Sequence, residues 1–114
     1  MRRLLFQLLA STVLVAVSAV GDGLPVAKIA VFASGTIELN GQRIAVAALD
    51  QELKGLAAQS GVVWYYREHA LGDPHPNATT VIQTIIRHRL PISMSTKPDF
   101  SDYVDQDGTS RPRP

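Results

Sequence analysis

Hydrophobic and polar positions change rhythm several times along this chain, and each change marks an element. Lys28–Ala33 is dominated by β-branched and aromatic residues, and Thr36–Leu39 alternates polar with apolar; both patterns predict strands, with Ser34-Gly35 turning between them. Asn40-Gly41 is the dipeptide that most readily supplies two positive φ angles, so Gln42–Ile44 is expected to return as a third, short strand. From Val46 the period becomes helical. Val46, Leu49, Leu53, Leu56 and Ala57 fall on one face, Asp50 and Lys54 are spaced to pair on another, and Gly61 is the expected stop.

Val62–Tyr66 is apolar at every position, as in a central strand covered on both sides. A loop follows over Arg67–Pro76. Asn77 is placed to cap a second helix whose stripe is Ala78, Val81, Ile82, Ile85 and Ile86. Many of its residues are β-branched and favour strand, but they lack period-2 alternation, and Arg87-His88-Arg89 complements a helix C-terminus. Pro91–Ser95 alternates as a last strand. The predicted fold is α/β (α+β), a small two-layer domain with two helices packed on a mixed sheet of four to five strands. It occupies residues 26–97, and residues 98–114 are expected to be a polar, largely disordered tail.

The N-terminus has a different character. Met1-Arg2-Arg3 is followed by Leu4–Val20 without an ionisable side chain, and Val17-Ser18-Ala19 offers small residues at a cleavage position. As a helix, Leu4–Val20 would span roughly 25 Å against a hydrocarbon core of roughly 30 Å. Residues 1–19 therefore read as a signal peptide cut near Ala19, or as a retained anchor with its arginines inside. Either way the remainder is periplasmic or faces the periplasm. Without Arg2 and Arg3, nine basic residues face ten acidic ones, so no basic excess supports nucleic-acid binding. There is no cysteine, which removes disulfides and thiolate metal sites.

Candidate chemistry is sparse. His69 and His75, with Asp73 between them, could be pictured as metal ligands, but two prolines and the lack of regular scaffolding make surface-loop polarity the better reading. Arg67 and Glu68 end the central strand, where strand ends of α/β sheets border a crevice, and are the candidate partner contact. Their plainer reading is an exposed pair or a contact with the C-terminal segment. Ser34, Ser60, Ser93, Ser95, Ser101 and Ser110 stand in no G-x-S-x-G elbow, and no glycine-rich phosphate loop is present. Asn77-Ala78-Thr79 matches a glycosylation acceptor, a short pattern that recurs by chance. No catalytic residue, metal or cofactor is expected.

From Lys28 to about Lys97 the chain resembles the periplasmic domain of the ExbD/TolR family of biopolymer-transport proteins. The resemblance rests on Ile37-Glu-Leu-Asn-Gly41 after a first strand, the Leu49/Leu53/Leu56 helix, and the Val62–Tyr66 strand. A second helix ending at His88 and Leu90-Pro-Ile-Ser-Met-Ser-Thr-Lys97 complete it. It implies a non-enzymatic domain that works as a homodimer beside a multi-helix inner-membrane proton-channel protein, binding an envelope protein or cell-wall polymer. The family's transmembrane aspartate has no counterpart in Leu4–Val20, so no residue here inherits the proton-carrying role.

Overall fold

The computed structural model describes residues 23–114; the expected signal or anchor segment lies outside the described residues. Seven strands and two helices follow in the order β1 (Val26–Val31), β2 (Ile37–Leu39), β3 (Gln42–Arg43), α1 (Val46–Ala58), β4 (Val62–Arg67), α2 (Pro76–Arg87), β5 (Ile92–Ser95), β6 (Asp102–Val104) and β7 (Ser110–Pro112). The main sheet has the order β3-β2-β1-β4-β5, and β6 and β7 form a separate hairpin. β1 pairs parallel with β4 and β4 with β5, while β2 and β3 are antiparallel additions. Two crossovers running in the same direction place both helices on one face of the sheet, because such crossovers share one hand. This is the expected α+β architecture of two helices on a mixed sheet.

The core lies between that face and the helices. Ala27, Ile29, Val31, Val63 and Tyr65 project into it from the strands, and Leu49, Leu53, Leu56, Val81 and Ile85 from the helices. In α1 the predicted stripe is the buried face, with Leu49, Leu53 and Leu56 fully enclosed. Each buried leucine stabilises the fold by roughly 1.5–3 kcal/mol, which outweighs any surface pair. Asp50 does not pair with Lys54: its carboxylate reaches across to α2, 2.8 Å from His88 Nε2 and 3.5 Å from Arg87. The hydrogen bond with His88, then the charge of Arg87, outweigh its partial burial and hold Asp50 below the ordinary carboxylate range.

Three local expectations are corrected. His75, not Asn77, caps α2: its Nδ1 accepts the Asn77 N–H at 3.0 Å, and Pro76 fills the first helical position, where a missing N–H costs nothing. Ile86 is 61% exposed; Thr84 is buried in the helix instead, its hydroxyl donating to Thr80 O at 2.8 Å. The third correction concerns residues 98–114, expected as a disordered tail. They fold back on the sheet and form the β6–β7 hairpin, held by polar contacts that leave no periodic signature.

Gly61 follows the end of α1 at a point with no space for a side chain. The left-handed conformation after the helix falls on Ser60, at φ 55°. A Cβ on Gly61 would lie 2.9 Å from Pro25 O and collide with the Leu56 side chain. Gly61→Ala is therefore expected to destabilise the domain by about 1–3 kcal/mol, the usual cost of overpacking, seen as a lower thermal midpoint. An unchanged midpoint would mean that Leu56 and the β1 entry yield freely.

Candidate functional site

Asn40 and Gly41 both have positive φ, 52° and 84°, as a tight hairpin turn requires. Asn40 Oδ1 accepts the Lys28 N–H at 2.9 Å, which fastens this turn to β1. At the other end of the sheet, Arg67 and Glu68 serve the chain's own loops. Glu68 Oε1 accepts the Ala33 N–H at 2.9 Å. The Arg67 guanidinium donates to Ala70 O at 2.7 Å and to the carbonyls of Gly72 and His69 at 3.3 and 3.4 Å. Five donors on one planar group suit Arg67 to gathering a turn.

His75 packs on the β1–β2 turn. A Cβ on Gly35, which has φ 93°, would stand 2.6 Å from the imidazole, and Asn77 Nδ2 donates to Gly35 O at 2.8 Å. These contacts fix the start of α2 against β1. His69 takes a left-handed conformation in the exposed loop, and His69, Asp73 and His75 are not gathered into a ligand set; no cluster of three metal-binding side chains occurs among the described residues.

The concavity best suited to a partner lies between α2 and β5, a groove of about 270 Å³. Tyr65 forms its floor, Ala78 and Ile82 of α2 one wall, and Met94 of β5 the other, with Arg67 and Gln83 at the rim. Tyr65 is 3% exposed, and its hydroxyl has no hydrogen-bond partner among the described residues. Burial, only partly offset by the Arg67 charge, pushes its pKa up, so it presents a neutral O–H. A buried hydroxyl without a partner is costly, and this one, enclosed beneath the groove, meets an acceptor only when the groove widens. Beside the groove, Met94 is 45% exposed, and β5 ends the sheet, leaving one line of backbone groups without a strand partner among the described residues.

The opposite face carries a polar construction. Asp102 is 2% exposed; it accepts the Thr96 N–H at 3.0 Å and hydroxyls of Thr96 and Ser110, each at 2.6 Å. Burial pushes its pKa up, but these bonds outweigh it and hold the pKa at about 2. The Arg113 guanidinium lies 3.8 Å from the centre of the Trp64 ring. It donates to Ser93 Oγ at 3.1 Å, Ser95 Oγ at 2.9 Å and Phe100 O at 3.0 Å. Phe100 meets Tyr66 edge-on, with ring centres 6.5 Å apart.

Sequence reasoning reached the rim of the groove through Arg67 but missed its floor and walls. Met94 at an alternating position of the last strand, opposite Tyr65 in register, was the available signal. Among the described residues no helix is long and apolar enough to cross a membrane. In comparisons with known proteins, no family model matches this chain, and no curated protein matches it at a significant level.

Proposed function

We propose that this chain is a non-enzymatic interaction module, exported to the periplasmic side of the inner membrane, that binds an envelope protein through the groove between α2 and β5. The observation that carries this reading is the buried, unpartnered Tyr65 hydroxyl at the floor of an apolar groove beside an edge strand. An extended segment could pair with β5, set an apolar side chain between Ile82 and Met94, and, by parting them, expose the Tyr65 hydroxyl and accept its hydrogen bond. The apolar lining favours a protein segment over a cell-wall polymer, whose hydroxyls would lose water there without replacement. The resemblance to the ExbD/TolR periplasmic domain supports the same class of role, on an associational warrant.

A second reading keeps Leu4–Val20 as an anchor and makes the chain an accessory subunit of a proton-driven transport complex beside a multi-helix channel protein. The unbroken apolar character of that segment favours it, its length is a little short of the hydrocarbon core, and its lack of an acid limits it to a role without proton transfer. N-terminal sequencing of the exported protein separates the two, reading Val20 after cleavage and Met1 after retention.

The groove is tested by Gln83→Lys combined with Met94→Lys, two lining residues. Both side chains are exposed, so the thermal midpoint is expected to stay within the change of about 0.5 kcal/mol usual for surface positions. The double variant should nevertheless fail to restore the envelope phenotype of a strain deleted for the gene. Full restoration at normal abundance would remove the groove from function.

A further inference from the structure

The sheet face away from the helices is closed by charge rather than by apolar burial. In the stretch after Lys97 only Phe100 is a buried apolar residue, and every residue of β7 is exposed. What holds β7 and Arg113 down is the pairing with β6, the Asp102–Ser110 hydrogen bond, the Arg111–Asp105 ion pair and the seat of the Arg113 side chain. A segment fastened in this way, with little apolar area to lose, opens at low cost compared with the core.

That seat has the chemistry of a specific receptor. A guanidinium is planar, carries five donors and stacks on aromatic faces, among which indole is the strongest partner. Here the guanidinium sits over the Trp64 ring, while two serine hydroxyls and a backbone carbonyl accept three of its N–H groups. Trp64 is paired with Ser93 in register, so β4 and β5 build most of the seat, and β7 contributes none of these groups. An ammonium could not reach the three acceptors while lying flat on the ring.

We propose that Trp64, Ser93, Ser95 and the Phe100 carbonyl form a guanidinium-binding site, filled in cis by Arg113, that takes an arginine side chain of another polypeptide when β7 lifts. Arg113 is then a tethered competitor that sets the threshold for binding in trans. This site lies on the opposite sheet face from the groove proposed above, and the two stand or fall separately.

The chain has a single tryptophan, so its fluorescence reports on the site directly. In Arg113→Ala, N-acetyl-arginine amide is expected to change Trp64 emission saturably, and N-acetyl-lysine amide is not. The unmodified protein should respond at least about tenfold more weakly, because a tethered arginine competes at high effective concentration. Adding Ser93→Ala and Ser95→Ala to Arg113→Ala should abolish the response. No saturable change in Arg113→Ala, an equal response to the lysine compound, or equal affinity in the unmodified protein would each overturn the proposal. If Arg113→Ala does not fold, Arg113→Lys, which retains the charge without the planar fork, is titrated instead and judged by the same three outcomes.

Discussion

Leu53→Asp is expected to leave no folded domain at 25 °C. Leu53 is fully buried at the middle of α1, within the cluster that joins both helices to β1 and β4. The substitution removes a leucine that stabilises by roughly 1.5–3 kcal/mol and puts a carboxylate in its place. No basic side chain is buried among the described residues, so the charge would be buried without a partner. Its desolvation costs several kcal/mol more, and the sum is comparable to the whole stability of about 5–15 kcal/mol typical of a small domain. Far-UV circular dichroism and the thermal transition check this. A cooperative melt near that of the unmodified protein would remove α1 from the core.

Asp102→Ala is expected to free the C-terminal hairpin while the core stays folded. Its carboxylate serves the Thr96 N–H and the hydroxyls of Thr96 and Ser110 together, and charged hydrogen bonds of this kind contribute about 1.5–3 kcal/mol each. Removing them strands three donors near the sheet surface and should cost about 3 kcal/mol or more. Trp64 then loses Arg113, so its emission moves to the red, and chymotrypsin should cut after Phe100 and Tyr103 well before the core is digested. The same attachment depends on acidity. A carboxyl with pKa near 2 in the folded state and 3.8 when unfolded adds stability that is fully present above pH 4. That stability fades as pH falls from about 4 towards 2, because the unfolded state then binds the proton more readily. The Asp102→Ala protein should lack this part of the acid dependence, and retention of the full pH profile would locate the titrating group elsewhere.

Much of the fold was legible because burial imposes a period. The α1 stripe had to face the sheet whatever the loops did, and α2 formed against the preference of its β-branched residues because Ala78, Val81 and Ile85 bury one face. The two-strand return after Asn40-Gly41 was equally local, since the turn conformation is written in the dipeptide. Residues 98–114 were misread for the complementary reason. Asp102 and Arg113 look like solvated charges in any window, and become anchors only when Thr96, Ser93, Ser95 and Trp64 are brought beside them by pairing of β4 with β5. Ile86 lay within the apolar stripe by spacing, but the stripe is wider than the contact with the sheet, and its outer margin is exposed. Arg67 was marked for its place at a strand end; what it does there, collecting three carbonyls, depends on a loop conformation with no periodic signal.

The two ends of the main sheet differ, and the difference sets its valence. At one end β3 has only two residues, Gln42 and Arg43, both exposed, a stub with a charge on it and little ladder to offer. At the other, β5 presents four residues and an exposed methionine. Edge-to-edge growth into a fibre needs two productive edges on every copy. A sheet with one such edge terminates as soon as that edge is satisfied: two copies joined through β5 form a closed, two-fold pair, and a partner's strand seated there leaves no edge for a third chain.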